Sequence, residues 1–396
     1  MLQPVVQALV DQLDAAFQPA SGQRLVQRRA LEITGFFGPM QIHRNYYWDG
    51  QQGHCPADAA LALEGAYTPA LSRMMYRAAA KNSYAEASAD LFEYAGVKVC
   101  DRQIQRLVRA VAPAVAPWLK TVREPGERAR LYVCGDGTGV PMRQEELAGR
   151  KGKQADGSAK TREAKLGCVF LQTEVDPEGH PIRKEDSTSY VGSFEAAAEF
   201  GLLLRQEAQR RGAAQAAQII FIGDGAAWVW ELARVNFPGA VLILDFYHAL
   251  QHVHGLVDAL WGKESPEGKK RIKCWKGWLL KDKAPELVQQ AQAELTAARD
   301  TVQAQKEIGY LANHLERMRY GTFRQAGYFI GSGVIEAGCK TVIGQRMKCS
   351  GMFWSEEGGQ GMLDLRCAFL SNRLDAFCQA RAEHHAARNC LPKLAA

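Results

Sequence analysis

Two stretches decide the reading of the fold: Leu131-Tyr-Val-Cys-Gly-Asp136-Gly-Thr-Gly139 and Gln218-Ile-Ile-Phe-Ile-Gly-Asp224-Gly-Ala226. In each, an apolar run the length of a buried strand, Leu131 to Gly135 and Gln218 to Gly223, ends in glycine and then aspartate. Strand ends are where open α/β sheets carry chemistry, and the flanking glycines let backbone and ligand approach closely.

Strand candidates follow at Leu166 to Val175 and Ile182 to Tyr190, and then a helix from about Ser193 that buries Phe200, Leu203 and Leu204. Beyond Asp224, the residues Trp228, Val229, Leu232 and Val235 form one side of a helix stopped by Pro238. A fifth strand, Ala240 to Leu244, ends in Asp245. Three strands, helix, strand, helix, strand, helix is the succession of a ribonuclease-H-like mixed sheet, whereas a Rossmann sheet alternates from the start. Residues 129–254 are therefore expected to form the first part of an α/β core. Residues 255–328 lack strand periodicity and read as a helical insertion, and 329–396 as the completion of the core with C-terminal helices.

Residues 1–120 read as a hairpin plus helices. Apolar and aromatic runs from Leu31 to Phe37 and Met40 to Trp48 flank a Gly38-Pro39 break. Ser83 and Glu86 have capping-box spacing ahead of Tyr84, Ala87, Leu91 and Phe92, with Gly96 as the stop. A second helix from Asp101 turns Ile104, Leu107, Val108 and Val111 inward and Arg102, Gln103, Arg106 and Arg109 outward, a helix-turn-helix pattern. Arg and Gln suit base edges and phosphates, and two adjacent helices are equally at home in any helical domain.

The chain has 396 residues, 47% of them hydrophobic, and a net charge of +6, enough for two or three domains and only a slight bias toward an acidic partner. No apolar run reaches membrane-spanning length, and Asp11 and Asp14 interrupt any signal-peptide reading, so a cytoplasmic, nucleoid-associated protein is expected. The ten cysteines are scattered singly, as reduced thiols rather than a disulfide or zinc framework. Arg143 to Lys165, with seven basic and four acidic residues, reads as an exposed loop or long hairpin tip. Lys263 to Lys283 carries eight basic and three acidic residues beside Trp275 and Trp278, which at helical spacing read as core more readily than as base-stacking platforms.

A third acid, Glu336, follows Gly331-Ser332-Gly333 near the start of a helix whose apolar side includes Ile335, Cys339 and Val342. Asp136, Asp224 and Glu336 are hard oxygen donors from separate elements, which suits two magnesium or manganese ions rather than zinc. Such a pair serves in-line phosphoryl transfer without a nucleophilic side chain. Taken singly, each acid has a plainer reading: Asp-Gly pairs occur in turns, and Glu336 can pair with Lys340 one helical turn on. Their joint occurrence in this order favours a metal centre.

On these residues the sequence resembles the bacterial insertion-sequence transposases of the ISKra group, within the DDE transposases that carry a helical insertion. The landmarks are Asp136-Gly-Thr-Gly-Val-Pro141, Gly223-Asp-Gly-Ala with Trp228 and Trp230, Asp245-Phe-Tyr-His248, Gly331-Ser-Gly-Val-Ile-Glu336 with Cys339-Lys340, and Ser350-Gly-Met-Phe-Trp354-Ser. The resemblance implies that Asp136, Asp224 and Glu336 form the catalytic, metal-binding triad, and that Asp245-x-x-His248 is an auxiliary motif whose His248 touches the scissile phosphate or nearby DNA. A histidine bonded to Asp245 or to backbone in a helix cap is the alternative on chemistry alone. It further implies double-stranded DNA, transposon ends and target, as partner, with synapsis requiring a dimer or larger assembly. Lys340, Arg346 and Lys348 become phosphate-contact candidates beside Glu336. The family pattern includes a zinc-knuckle cysteine pair after the hairpin, of which only His54 and Cys55 remain here, so the N-terminal unit is expected to hold by packing.

Two other classes stay open at this stage. A catalytically inactive, transposase-derived DNA-binding protein would keep the helices without the chemistry, against which the intact carboxylates argue. An actin-like phosphotransferase could cradle phosphate on Asp-Gly-Thr-Gly, but no P-loop and no second glycine-rich turn equivalent to it is present. An aspartic protease needs two matching loops, and only one approaches that pattern.

Overall fold

The computed structural model describes residues 2–147 and 161–387, which form two compact units, 1–119 with 357–396 and 120–356. Of the C-terminal residues described, 357–387 thus group with the N-terminal region rather than with the sheet. The tip of the polar segment from Arg143 to Lys165 lies outside the described residues, while both its arms lie within them.

In the first unit, helix α1 (Leu2–Ala16) lies on the hairpin of β1 (Arg24–Gly35) and β2 (Gly38–Trp48), and Val10, Leu13, Ile33, Ile42 and Ala57 form a dry core between them. Gly35 pairs with Gly38, so the two-residue tip is Phe36-Phe37 and Gly38-Pro39 opens the second strand, which places the turn two residues earlier than the sequence break suggested. The short strand β3 (Gly53–His54) extends this sheet, and α2 (Pro56–Ala60) is tied to it by an Arg44–Asp58 ion pair at 2.7 Å. His54 packs edge-on to Phe17.

Helices α3 (Pro69–Lys81), α4 (Tyr84–Ala95), α5 (Asp101–Val111) and α6 (Val115–Leu119) follow. Ser83 and Glu86 make the expected reciprocal cap, and Gly96 ends α4 at φ 67°. On α5, Ile104, Val108 and Val111 are buried and Leu107 is half-buried.

The second unit is built on a six-stranded mixed sheet. It contains β4 (Arg130–Pro141), β5 (Thr161–Val175), β6 (Pro181–Arg183), β7 (Ser189–Ser193), β8 (Gln218–Gly223) and β9 (Val241–Leu244). The order is β6-β5-β4-β8-β9, with β7 also on β5; β4, β5, β6 and β7 pair antiparallel, and β4-β8-β9 pair parallel. The third strand foreseen from Ile182 to Tyr190 is split, because residues 184–188 leave the ladder and the Ser187 hydroxyl accepts the Leu171 N–H at 3.1 Å instead.

Helices α7 (Ala197–Arg210) and α8 (Ala227–Asn236) cover the sheet, burying Phe200, Leu204, Val229, Trp230 and Leu232, while Val235 faces solvent. After β9 comes α9 (Phe246–Trp261), the helix expected to follow the fifth strand, and the helical segment continues through α10 (Pro266–Leu279), α11 (Ala284–Ala293), α12 (Thr301–Ala312) and α13 (Tyr320–Gln325). Trp275 is fully buried, packs on Trp261 with ring centroids 5.4 Å apart and donates to Gln290 at 3.1 Å, so it is core. The chain then forms α14 (Gly333–Gly338), a wider helical turn at Cys339–Gly344 and α15 (Gln345–Met347). Helices α16 (Glu356–Leu370) and α17 (Leu374–Ala387) complete the first unit. No helix among the described residues is long and apolar enough to cross a membrane.

Candidate functional site

The register of the sheet gathers three aspartates. Cys134 pairs with Ile222 across β4 and β8, so Asp136 and Asp224 each follow two positions later on neighbouring parallel strands. Gly223 pairs with Leu244 across β8 and β9, so Asp224 and Asp245 each follow at the next position. Adjacent strands lie about 4.8 Å apart, which sets three acidic side chains in a row along one end of the parallel half-sheet. Strand β4 does not stop at Gly135: it runs on to Pro141 paired with β5, and its pairing with β8 ends at Cys134, two residues before Asp136.

Burial raises the Asp136 carboxyl above its ordinary value, the nearby charge of Asp224 adds to the rise, and the Gly137 N–H, the Cys339 thiol and His248 oppose it. The thiol of Cys339 stands 3.4 Å from Asp136 Oδ2. Burial, and then Asp136, push that thiol far above its ordinary value, with a smaller contribution from Glu336, so it remains a donor to the carboxylate. Glu336 is exposed on α14. That helix lies close on the sheet because position 338 is glycine: a Cβ there would meet the Tyr190 ring at 2.7 Å.

Asp245 is buried and holds the corner together. Its Oδ1 accepts the His248 N–H at 2.7 Å, capping α9, and its Oδ2 accepts the N–H of Ser332, just ahead of α14. The Phe246 N–H donates to the Ile330 carbonyl at 2.9 Å beside it. One carboxylate therefore joins the end of β9, the start of α9 and the entry to α14, the helix that carries Glu336. The His248 ring is half-buried, 5.9 Å from the His252 ring, and near enough to Asp136 to favour its charged form.

Asp224 is held from the helical segment. Its Oδ1 accepts the Ala226 N–H at 3.0 Å, and its backbone carbonyl accepts the Tyr310 hydroxyl of α12 at 2.8 Å. Burial, and then the Asp224 charge, push that hydroxyl well above its ordinary value, which keeps its proton in place. Nothing in the sequence marks Tyr310, 86 residues away.

The basic candidates separate. Lys340 and Lys348 are exposed, and Lys348 Nζ donates to the Thr138 hydroxyl on the Asp136 strand. Arg346 is only 1% exposed: its guanidinium donates to the Met352 sulfur at 3.2 Å and lies 5.2 Å from the Trp354 ring centre. The phosphate contact expected of Arg346 does not fit so enclosed a side chain, whose place is in the packing under Trp354. On α5, Arg102 is exposed, Arg106 is exposed and bonds Tyr67, and Gln103 accepts the Cys100 N–H at 3.0 Å, so its carbonyl is engaged in capping the helix.

Among the described residues, the one set of three ligand-type side chains whose ligand atoms all lie within 4.8 Å of one another is Asp176, Glu178 and His180, at the turn between β5 and β6. This cluster could hold a metal ion, and its Asp-x-Glu-x-His spacing was overlooked in the sequence. Asp136, Asp224 and Glu336 do not meet that spacing as a set. The cysteines in the described residues are all free thiols. Comparison of the chain with protein-family models and with curated proteins finds no match.

Proposed function

We propose that the second unit is a metal-dependent nuclease and strand-transferase of the DDE type, acting on double-stranded DNA at the ends of a mobile element. The observation that carries this reading is the row Asp136, Asp224, Asp245 at the ends of β4, β8 and β9, with the Asp136 carboxyl raised in part by the charge of Asp224. The strand order, antiparallel through the first three positions and parallel through the last two, accords with a ribonuclease-H-like core. Neighbouring carboxylates in a partly buried corner are a donor set for hard divalent cations.

The residues fit two such ions by type: Asp136 and Asp224 as the shared floor, Glu336 as the exposed arm from α14. When bound, magnesium or manganese supplies Lewis-acid activation of the attacking oxygen and neutralises charge on the departing one. The chain's own residues do the rest. Asp245 fixes α14 against the sheet, Cys339 orients Asp136, His248 faces the carboxylates, and Lys340 and Lys348 offer cations to a phosphodiester backbone beside Glu336.

The deciding experiment incubates the purified chain with Mg²⁺ or Mn²⁺ and duplexes carrying the DNA that flanks its own coding sequence. Nicking that leaves a 3′-hydroxyl, joining to a target duplex, and loss of both in Asp224→Asn are expected. Binding of those duplexes without any cutting or joining would mean a DNA-binding protein and would end the enzymatic reading.

A further inference from the structure

Helix α12 reaches the candidate centre through a chain of three side chains. Tyr310 Oη donates to the Asp224 carbonyl at 2.8 Å, and the Tyr310 ring stacks on His252 with centroids 3.5 Å apart and planes 18° from parallel. His252 Nδ1 is 2.6 Å from Glu307, which also accepts from Gln303. On the other side, Gly225 follows Asp224 at φ +99°, and a Cβ there would stand 2.0 Å from the Tyr310 hydroxyl. The glycine is thus required twice over, by its backbone angle and by the close approach of the tyrosine.

The turn after β8 has few ties of its own. Among the described residues the Asp224 carboxylate accepts only the backbone N–H two residues on, and Gly225 beside it restricts the backbone little. A hydroxyl held by a stacked, hydrogen-bonded support removes that freedom, because the Tyr310 ring cannot tilt without leaving His252.

We propose that Tyr310, backed by His252 and Glu307, is the positioning residue that holds Asp224 in its metal-binding orientation, so that the helical segment acts as a clamp on the second carboxylate. This rests on the metal-centre reading above. Its consequence is that the affinity of the site for a divalent ion depends on a side chain that never touches the ion.

The test titrates Mn²⁺ into the full chain, counting free ion by electron paramagnetic resonance, with thermal unfolding measured in parallel. Tyr310→Phe keeps the stacked ring and removes only the hydroxyl. It is expected to weaken Mn²⁺ binding about fivefold, the scale of one hydrogen bond, while the unfolding temperature stays within about 2 °C of the parent. Asp224→Asn serves as the reference for losing the ligand itself.

If Tyr310→Phe binds Mn²⁺ within twofold of the parent while Asp224→Asn does not, the clamp is wrong and the metal centre stands. A fall in unfolding temperature with unchanged Mn²⁺ affinity also overturns it, since that is the mark of a packing role alone. If the parent and Asp224→Asn bind Mn²⁺ alike, the metal-centre reading fails and the clamp fails with it.

Discussion

Removing the Asp245 carboxylate should loosen the corner of the second unit by an amount that can be worked out from its two bonds. Asp245→Ala deletes the N-cap of α9, a loss of about 1 kcal/mol. It also strips the partner from the Ser332 N–H, in a residue only 5% exposed, and a buried donor left unpaired costs about 1 to 3 kcal/mol. The sum, roughly 2 to 4 kcal/mol, corresponds to an opening constant about 30- to 1,000-fold larger. Hydrogen exchange read by mass spectrometry over residues 330–338 reports that opening directly, without treating a two-unit chain as a single two-state transition. Asp245→Asn should fall between, since it keeps one acceptor and turns an amide N–H toward either His248 or Ser332. Should exchange in 330–338 rise by less than threefold in Asp245→Ala while the first turn of α9 frays, the carboxylate is a helix cap and nothing more.

Two acid-linked effects are expected in opposite directions. His314 is buried, and burial followed by the Arg317 charge lowers it to about 4, so it is neutral in the fold. Its contribution is complete above pH 6.5 and is lost as pH falls toward 4, amounting to about 3 kcal/mol, and His314→Gln should flatten that limb of a stability profile measured by denaturant titration. Asp364 on α16 is pushed up to about 7 by burial, despite the amide that Gln360 donates at 2.9 Å. Because the folded form holds the proton more tightly than the unfolded chain, stability is highest below pH 4 and declines up to pH 7; Asp364→Asn should gain roughly 2 to 4 kcal/mol at pH 8 and nothing at pH 4. For DNA binding, replacing the exposed Lys340 and Lys348 together by alanine should lower the slope of log affinity against log salt by about 2, whereas Arg346→Ala should leave that slope unchanged and lower the unfolding temperature.

Local signals were the ones the sequence displayed well. Ser83, Glu86 and Gly96 bracket α4 because a capping box and a left-handed stop depend on residues a few positions apart. The apolar runs before Asp136 and Asp224 revealed two neighbouring strands, but the length of β4 was hidden: Gly137 and Gly139, on either side of Thr138, carry little strand preference and are extended because β5 pairs with them. The hairpin tip was misread for a related reason, since Phe36 and Phe37 look like strand residues and stand exposed in the turn. Arg346 shows the limit for charges. Its place near Glu336 suggested a phosphate contact, yet the chain returning at Trp354 covers it, and that return is invisible to periodicity. Tyr310 and Asp224 meet across 86 residues, and the partnership exists only once α12 has packed against α9.

The three carboxylates are held with unequal firmness, and this bears on how the centre could work. Asp136 belongs to a strand paired on both sides as far as Cys134 and to β5 beyond it, so its backbone is fixed by the sheet. Asp224 sits one step outside the sheet, in a turn tied to the helical segment by Tyr310. Glu336 is borne on six residues of helix whose entry depends on Asp245 and whose exit widens into the turn at Cys339–Gly344. Such widened turns are common at functional sites, where they re-aim side chains without breaking the helix. Here the widening brings the Cys339 thiol to Asp136 and lets Lys348 return to Thr138, so the stretch 333–348 carries the most exposed of the three acids and both exposed lysines. A substrate phosphate drawn by those lysines would approach Glu336 before the two aspartates. On that arrangement, changes at Asp245 should act chiefly through Glu336, and changes at Tyr310 through Asp224.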